Sequence, residues 1–149
     1  MPVQERRRER GHILDVLRLT RMRKRSRLKM RMVVVPMTVV ETEVFLQRAK
    51  TIIADQERDR LIAYLASNPE AGQVIPGTGG ARKIRWAVPG KGKRGGARTS
   101  YYYHNEQVPL FLLDIYAKSQ KATLSEADKR SLQRLLPLLV SRYKTRSRI

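Results

Sequence analysis

The sequence predicts an α+β domain: a small antiparallel sheet with an N-terminal helical pair and a C-terminal helix. Three observations predict it. Apolar residues recur at helical spacing in two stretches, 45–65 and 132–139. Between them, residues 82–88 alternate apolar and basic at strand spacing. Finally, Val108 to Ala117 is almost wholly apolar, as suits a central strand covered on both faces.

Taken in order, Val39 to Val44 suits a short strand. Phe45, Ala49, Ile52 and Ile53 follow helical spacing. Asp55 is the expected N-cap of the next helix, whose apolar face is Leu61, Ile62 and Leu65. Asn68-Pro69 ends that helix, and Gly72 supports a turn. A glycine-rich loop, Ile75 to Gly80, leads to the alternating strand, in which Ile84, Trp86 and Val88 point one way and Lys83 and Arg85 the other. The loop from Pro89 to Gly96 is basic and rich in glycine. Ala97 to Tyr103 forms the next strand, and His104 to Gln107 a hairpin turn. Pro109 is tolerable only at the start or edge of the last strand. Ser125-Glu126-Ala127-Asp128 matches a helix start of the capping-box kind, with Asp in place of the better-reaching Glu. Leu132, Leu135, Leu136 and Leu139 supply the stripe of this helix. Pro137 costs about 3 kcal/mol inside a regular helix, so a kink or break is expected near Leu136. The tail from Arg142 to Ile149 is expected to fray.

The composition divides the chain near Met37. Residues 1–36 hold twelve basic residues against Glu5, Glu9 and Asp15, and one short apolar patch, Ile13 to Leu19. That patch is too short to fold alone. The segment is expected to be a basic N-terminal extension, disordered or produced by a misassigned start codon with translation beginning at Met37; an Arg-rich targeting peptide is the remaining reading. Residues 37–149 are the expected folded domain.

The whole chain carries 32 Lys+Arg against 13 Asp+Glu, a formal net charge of +19. Such a surplus attracts polyanions, with nucleic acid and the ribosome foremost. The absence of Cys excludes disulfides, thiolate zinc sites and cysteine nucleophiles. With only His12 and His104, a histidine metal centre is not expected, and no metal or other cofactor is called for. No apolar run is long enough for a membrane helix and no secretory signal is evident, so a cytoplasmic protein with no membrane partner is expected.

The alternation places chemistry on one face. Lys83 and Arg85 are two apart on a strand and share a side of it; Arg98 on the next strand can point to the same surface, and Lys118 follows the third strand. Together they suggest a cationic cup across three strands. Cleavage of RNA by its own 2′-hydroxyl needs a base for that proton, cations for the phosphorane-like charge and an acid for the departing 5′-oxygen. The nucleophile is already in the substrate. Crowding of like charges favours the neutral form of a lysine amine, which makes Lys83 the expected base. Arginine stays charged and suits phosphate by paired hydrogen bonds. The ordinary role of basic residues on an exposed strand face is nevertheless a solvated surface.

Gly77-Thr78-Gly79-Gly80-Ala81-Arg82-Lys83-Ile84-Arg85-Trp86-Ala87, Gly90 to Arg98, Tyr101-Tyr102-Tyr103 and Leu112 to Ser119 together resemble the HigB-like branch of the RelE/ParE toxin superfamily. The resemblance covers residues 37 to about 135 and extends to the order of elements. It implies the toxin of a type II toxin–antitoxin system: a metal-independent, ribosome-dependent endoribonuclease (an mRNA interferase) that cuts mRNA in the A site and inhibits translation. It implies as partners mRNA on the ribosome and a helix-turn-helix antitoxin of the HigA kind, with operator DNA bound only through the toxin–antitoxin complex. By this resemblance Lys83 and Arg85 match the family's basic pair, Arg98 its phosphate-stabilising arginine and Lys118 its basic position after the last strand. Arg82, Lys91, Lys93 and Arg94 are expected to grip RNA phosphate, which makes binding salt-dependent. The family's C-terminal tyrosine has no counterpart between Lys118 and Tyr143, and Tyr102 or Tyr116 is expected to stack on a base in its place. Trp86 reads as core, and His104 as a solvated turn residue. The same fold also serves ParE-like toxins, which act on DNA gyrase without nuclease activity, and a plain RNA- or ribosome-binding protein would satisfy the charge alone.

Overall fold

A computed structural model of the chain describes residues 3–4, 36–90, 95–120 and 124–146. Its strands are β1 (Val3–Gln4), β2 (Val39–Thr42), β3 (Gln73–Val74), β4 (Ala81–Trp86), β5 (Ala97–Tyr102) and β6 (Leu110–Ala117), and its helices α1 (Glu43–Ile52), α2 (Asp55–Ser67) and α3 (Glu126–Arg146). The expected N-terminal extension lies outside the described residues apart from Val3, Gln4 and Pro36. Val3 and Gln4 pair with Thr42 and Glu41 at one sheet edge. Among the described residues no helix is long and apolar enough to cross a membrane.

The fold is α+β, and its sheet runs in the order β1-β2-β6-β5-β4-β3. The sheet is mixed rather than antiparallel throughout, because β2 runs parallel to β6. Consecutive strands joined by a tight turn must run antiparallel, as β5 and β6 do; β2 and β6 are separated by most of the domain, so no hairpin constrains their direction.

Thr42 makes the first corner. Its hydroxyl donates to the carbonyls of Leu112 and Leu113 at 2.8 and 3.2 Å, and accepts from the amide of Phe45 at the start of α1. Strand edge and helix cap are thus joined through one side chain. Asp55 is the first residue of α2 and not its N-cap; Ala54 holds that position with no side-chain hydrogen bond. Phe45, Ala49, Leu61, Ile62 and Leu65 pack on Val39, Tyr101, Leu110, Leu112 and Ile115, with Ile84 and Trp86 at the margin. Trp86 therefore joins the core as expected, and its indole donates to Glu57 at 3.1 Å. On the same side Glu41, 2% exposed, forms a buried ion pair with Arg58 at 3.4 Å.

The other side of the sheet is covered by α3. Ser125 and Asp128 cap each other reciprocally at 3.1 Å, so the shorter Asp does reach back. The helix runs on through Pro137 without the expected break, and through Arg142 to Arg146 without the expected fraying. Pro137 is exposed, while Leu136, Leu139, Val140 and Tyr143 on either side of it are buried against Val40, Ala81, Tyr102, Phe111 and Leu113. That burial, at about 1.5–3 kcal/mol per large side chain, offsets the proline. Tyr143 meets Phe111 edge-on at 5.1 Å between ring centres. In the first half of α3, Gln133 donates to the carbonyl of Gly77 at 2.8 Å, in a loop whose Gly77, Gly79 and Gly80 all have positive φ.

Candidate nucleic-acid interface

Strand alternation and ladder register build the site. Ala81 on β4 faces α3, whereas Ile84 and Trp86 face the helical pair. Lys83 and Arg85 therefore stand on the α3 side, and both are exposed. Directly paired residues share a face, so the register extends the site across the sheet. One cross-strand row is Gln73, Lys83, Ser100 and Asp114; the next is Arg85, Arg98 and Tyr116. A bulge lies between them and the core: Tyr101 pairs with Leu112 but Ser100 with Asp114, so Leu113 is the extra residue. The helix α3 covers the rows built on Ala81, Tyr102 and Phe111 and leaves these two rows open.

Three of the four expected catalytic residues come together. Lys83, Arg85 and Arg98 line a cavity of about 500 Å³, closed on one side by Ala71, Gly72 and Gln73. Arg85 and Arg98 are directly opposed in the ladder. The Nε of Arg98 is shielded from solvent and has no hydrogen-bond partner among the described residues. Lys118 stands one residue past β6, its amide bonded to the carbonyl of Gly96 at 3.1 Å; it is exposed and does not line the cavity.

The cavity wall at 71–73 is held by two side chains. Arg82 donates to the carbonyls of Glu70 and Gly72 at 3.2 and 2.8 Å. Tyr101 accepts from the amide of Gly72 at 2.7 Å and donates to the carbonyl of Pro69 at 2.9 Å. No side chain fits at Gly72: a Cβ there would lie 2.7 Å from the Lys83 carbonyl oxygen and 2.8 Å from the Tyr101 ring. Arg82 thus serves the wall, and alternation sets it on the side opposite Lys83. Burial pushes the Tyr101 hydroxyl above its ordinary pKa, against the lowering effect of the Gly72 amide.

The two tyrosines separate. Tyr102 is buried beneath α3, its hydroxyl 3.1 Å from Nδ1 of His104, and burial raises its pKa; its ring is not on the open half. Tyr116 is half-buried and directly opposite Arg98. His104 is exposed in its turn as expected, where Asn105 Oδ1 accepts from the amides of Gln107 and Val108. Lys91, Lys93 and Arg94 lie outside the described residues.

The sequence reading missed Gln73, Ser100 and Asp114 on the site face, and Arg48. Asp114 is the only charged residue of β6, and that interruption of an apolar run was the available signal. Arg48 on α1 meets both its oxygens, at 2.9 and 2.8 Å. No protein-family model matches this chain.

Proposed function

We propose that this chain is a ribosome-dependent endoribonuclease, the toxin of a type II toxin–antitoxin pair with a RelE-like fold, which cuts mRNA in the A site. The observation that carries the reading is the opposition of Arg85 and Arg98 across the β4–β5 ladder, with Lys83 one row away. Like charges directly opposite are destabilising. An anion between them removes that repulsion. A phosphodiester fits this role, and Tyr116 beside Arg98 offers a ring on which a neighbouring base can stack.

In this reading Lys83 takes the proton of the 2′-hydroxyl. The 2′-oxygen attacks phosphorus and the bond to the 5′-oxygen breaks, leaving a 2′,3′-cyclic phosphate and a 5′-hydroxyl. Arg85 and Arg98 stabilise the charge that builds on the non-bridging oxygens. Lys118, at the β6 end of the face, is the candidate donor to the departing 5′-oxygen. Support comes also from the order of elements, in which β2 is followed by a helical pair, four antiparallel strands (the first, β3, of two residues) and a C-terminal helix, and from the net charge of +19. The partners that follow are mRNA on the cytoplasmic ribosome and a helix-turn-helix antitoxin.

The test is expression of the chain from a tightly repressed promoter beside its Lys83→Ala, Arg85→Ala and Arg98→Ala variants, with growth and primer extension on translated mRNA as readouts. Growth arrest with cuts inside translated codons, lost in the variants, is expected. Arrest without cuts that persists in all three would move the target to one such as gyrase.

A further inference from the structure

We infer that Arg48 is a further phosphate-binding residue of this face, pinned by Asp114 so that it holds a phosphate other than the one between Arg85 and Arg98. The inference rests on the nucleic-acid reading above and adds a residue from outside the sheet to it.

Asp114 is the one carboxylate in the two open rows. It lies opposite Ser100, two residues before Tyr116, which pairs with Arg98. That makes it a diagonal neighbour of Arg98, at about 7–8 Å on an ordinary ladder. Lys83 is two strands away, about 10 Å at ordinary strand spacing. A bare carboxylate here would repel a nucleic-acid strand crossing the face. Arg48 offsets it. Both hydrogen bonds between them use the same nitrogen, Nη1, so the other terminal nitrogen and Nε are not spent on Asp114. The Arg48 side chain is 51% exposed, against 24% for Asp114. Asp114 is in turn fixed, because its Oδ1 also accepts from the amide of Ile115 at 2.8 Å. The pair therefore presents a fixed guanidinium edge at the β6 end of the site. It does not swing freely toward Lys83. A strand held at Arg85 and Arg98 and leaving past Tyr116 meets this edge next. Asp114 is a positioning residue in this arrangement, acting through Arg48.

Fluorescence anisotropy with a labelled, fully 2′-O-methylated single-stranded oligoribonucleotide, which cannot be cut by its own 2′-oxygen, measures the dissociation constant of the full chain across a NaCl series. Each phosphate neutralised contributes about 0.7 to the slope of log affinity against log salt on a single strand. Arg48→Gln is expected to lower the slope by about 0.7, so that affinity loss per tenfold rise in salt is about fivefold smaller. Arg48→Lys is expected to restore the wild-type slope. Asp114→Asn, which keeps an acceptor for Nη1, is expected to leave the slope unchanged and binding at low salt no weaker. Arg98→Gln serves as the reference for the face itself, and circular dichroism confirms that each variant is folded. If Arg98→Gln lowers the slope and Arg48→Gln does not, the inference fails while the nucleic-acid reading stands. If Arg48→Lys does not restore the slope that Arg48→Gln lowers, the effect is structural and the inference also fails. If no variant lowers it, the reading of the whole face is overturned.

Discussion

The α3 side of the sheet has two halves made by the same three strands. In one, Ala81, Tyr102, Phe111 and Leu113 lie under Leu136, Leu139 and Tyr143. In the other, Lys83, Arg85, Arg98, Ser100, Asp114 and Tyr116 have no helix over them among the described residues. The bulge at Leu113 sits on the boundary. Without it, alternation would turn Asp114 and Tyr116 toward the helical pair and leave Ile115, which is fully buried there, on the open side. One extra residue therefore lets an apolar strand end in a polar row. The covered half holds the buried apolar residues, and the open half gathers positive charge.

That contrast can be broken most directly in the open half. Under the proposed nuclease function, Lys83→Ala is expected to lower the cleavage rate constant by roughly 10²–10⁴, the usual share of a positioned base. Its unfolding free energy should stay within about 0.5 kcal/mol of the parent, as for an exposed residue without structural contacts. Rapid-quench cleavage assays on programmed ribosomes, beside urea titration, read both quantities; a large loss of stability with unchanged cleavage would reverse the assignment of the two halves. In the covered half the expectation inverts. Leu136→Ala, at 1% exposure, should cost about 2–5 kcal/mol in urea unfolding, with cleavage per folded molecule unchanged.

Tyr101→Phe tests the cavity wall at 71–73. It leaves the Gly72 amide and the Pro69 carbonyl without their partner, at about 1–3 kcal/mol. Burial also gives this position a pH signature. The folded state favours the neutral phenols of Tyr101 and Tyr102, so their contribution is complete below the ordinary value of 10.0 and is lost as pH rises through the higher folded values. Alkaline unfolding monitored by tyrosinate absorbance should flatten in Tyr101→Phe. The smallest effect belongs to Ser125→Ala, about 1 kcal/mol from loss of one cap, measurable as a lower thermal midpoint with no change at the site.

Much of this was legible along the chain. Period-two spacing put Lys83 and Arg85 opposite Ile84 and Trp86, and period-3.6 spacing marked the three helices. The misses have physical causes. Asp55 looked like a cap because its type favours that position, yet α2 begins at Asp55 itself and Ala54 takes the cap position. Pro137 read as a break because propensity counts only the local cost, whereas the buried residues around it decide the balance. Tyr102 and Tyr116 looked equivalent as aromatic residues in strands; α3 buries one and spares the other. Glu41 and Arg58 are both charged and far apart in sequence, and nothing local indicates that they pair in the core.

By itself, then, the sequence determined the main elements, the face on which the residues of β4 stand and the excess of positive charge, because spacing and charge are properties of a few neighbouring residues. The tertiary structure alone decided that Arg85 meets Arg98, that the bulge turns Asp114 and Tyr116 to the same side, and that α3 stops short of them. Ladder register and helix placement depend on contacts between residues distant in the chain, which no local period encodes.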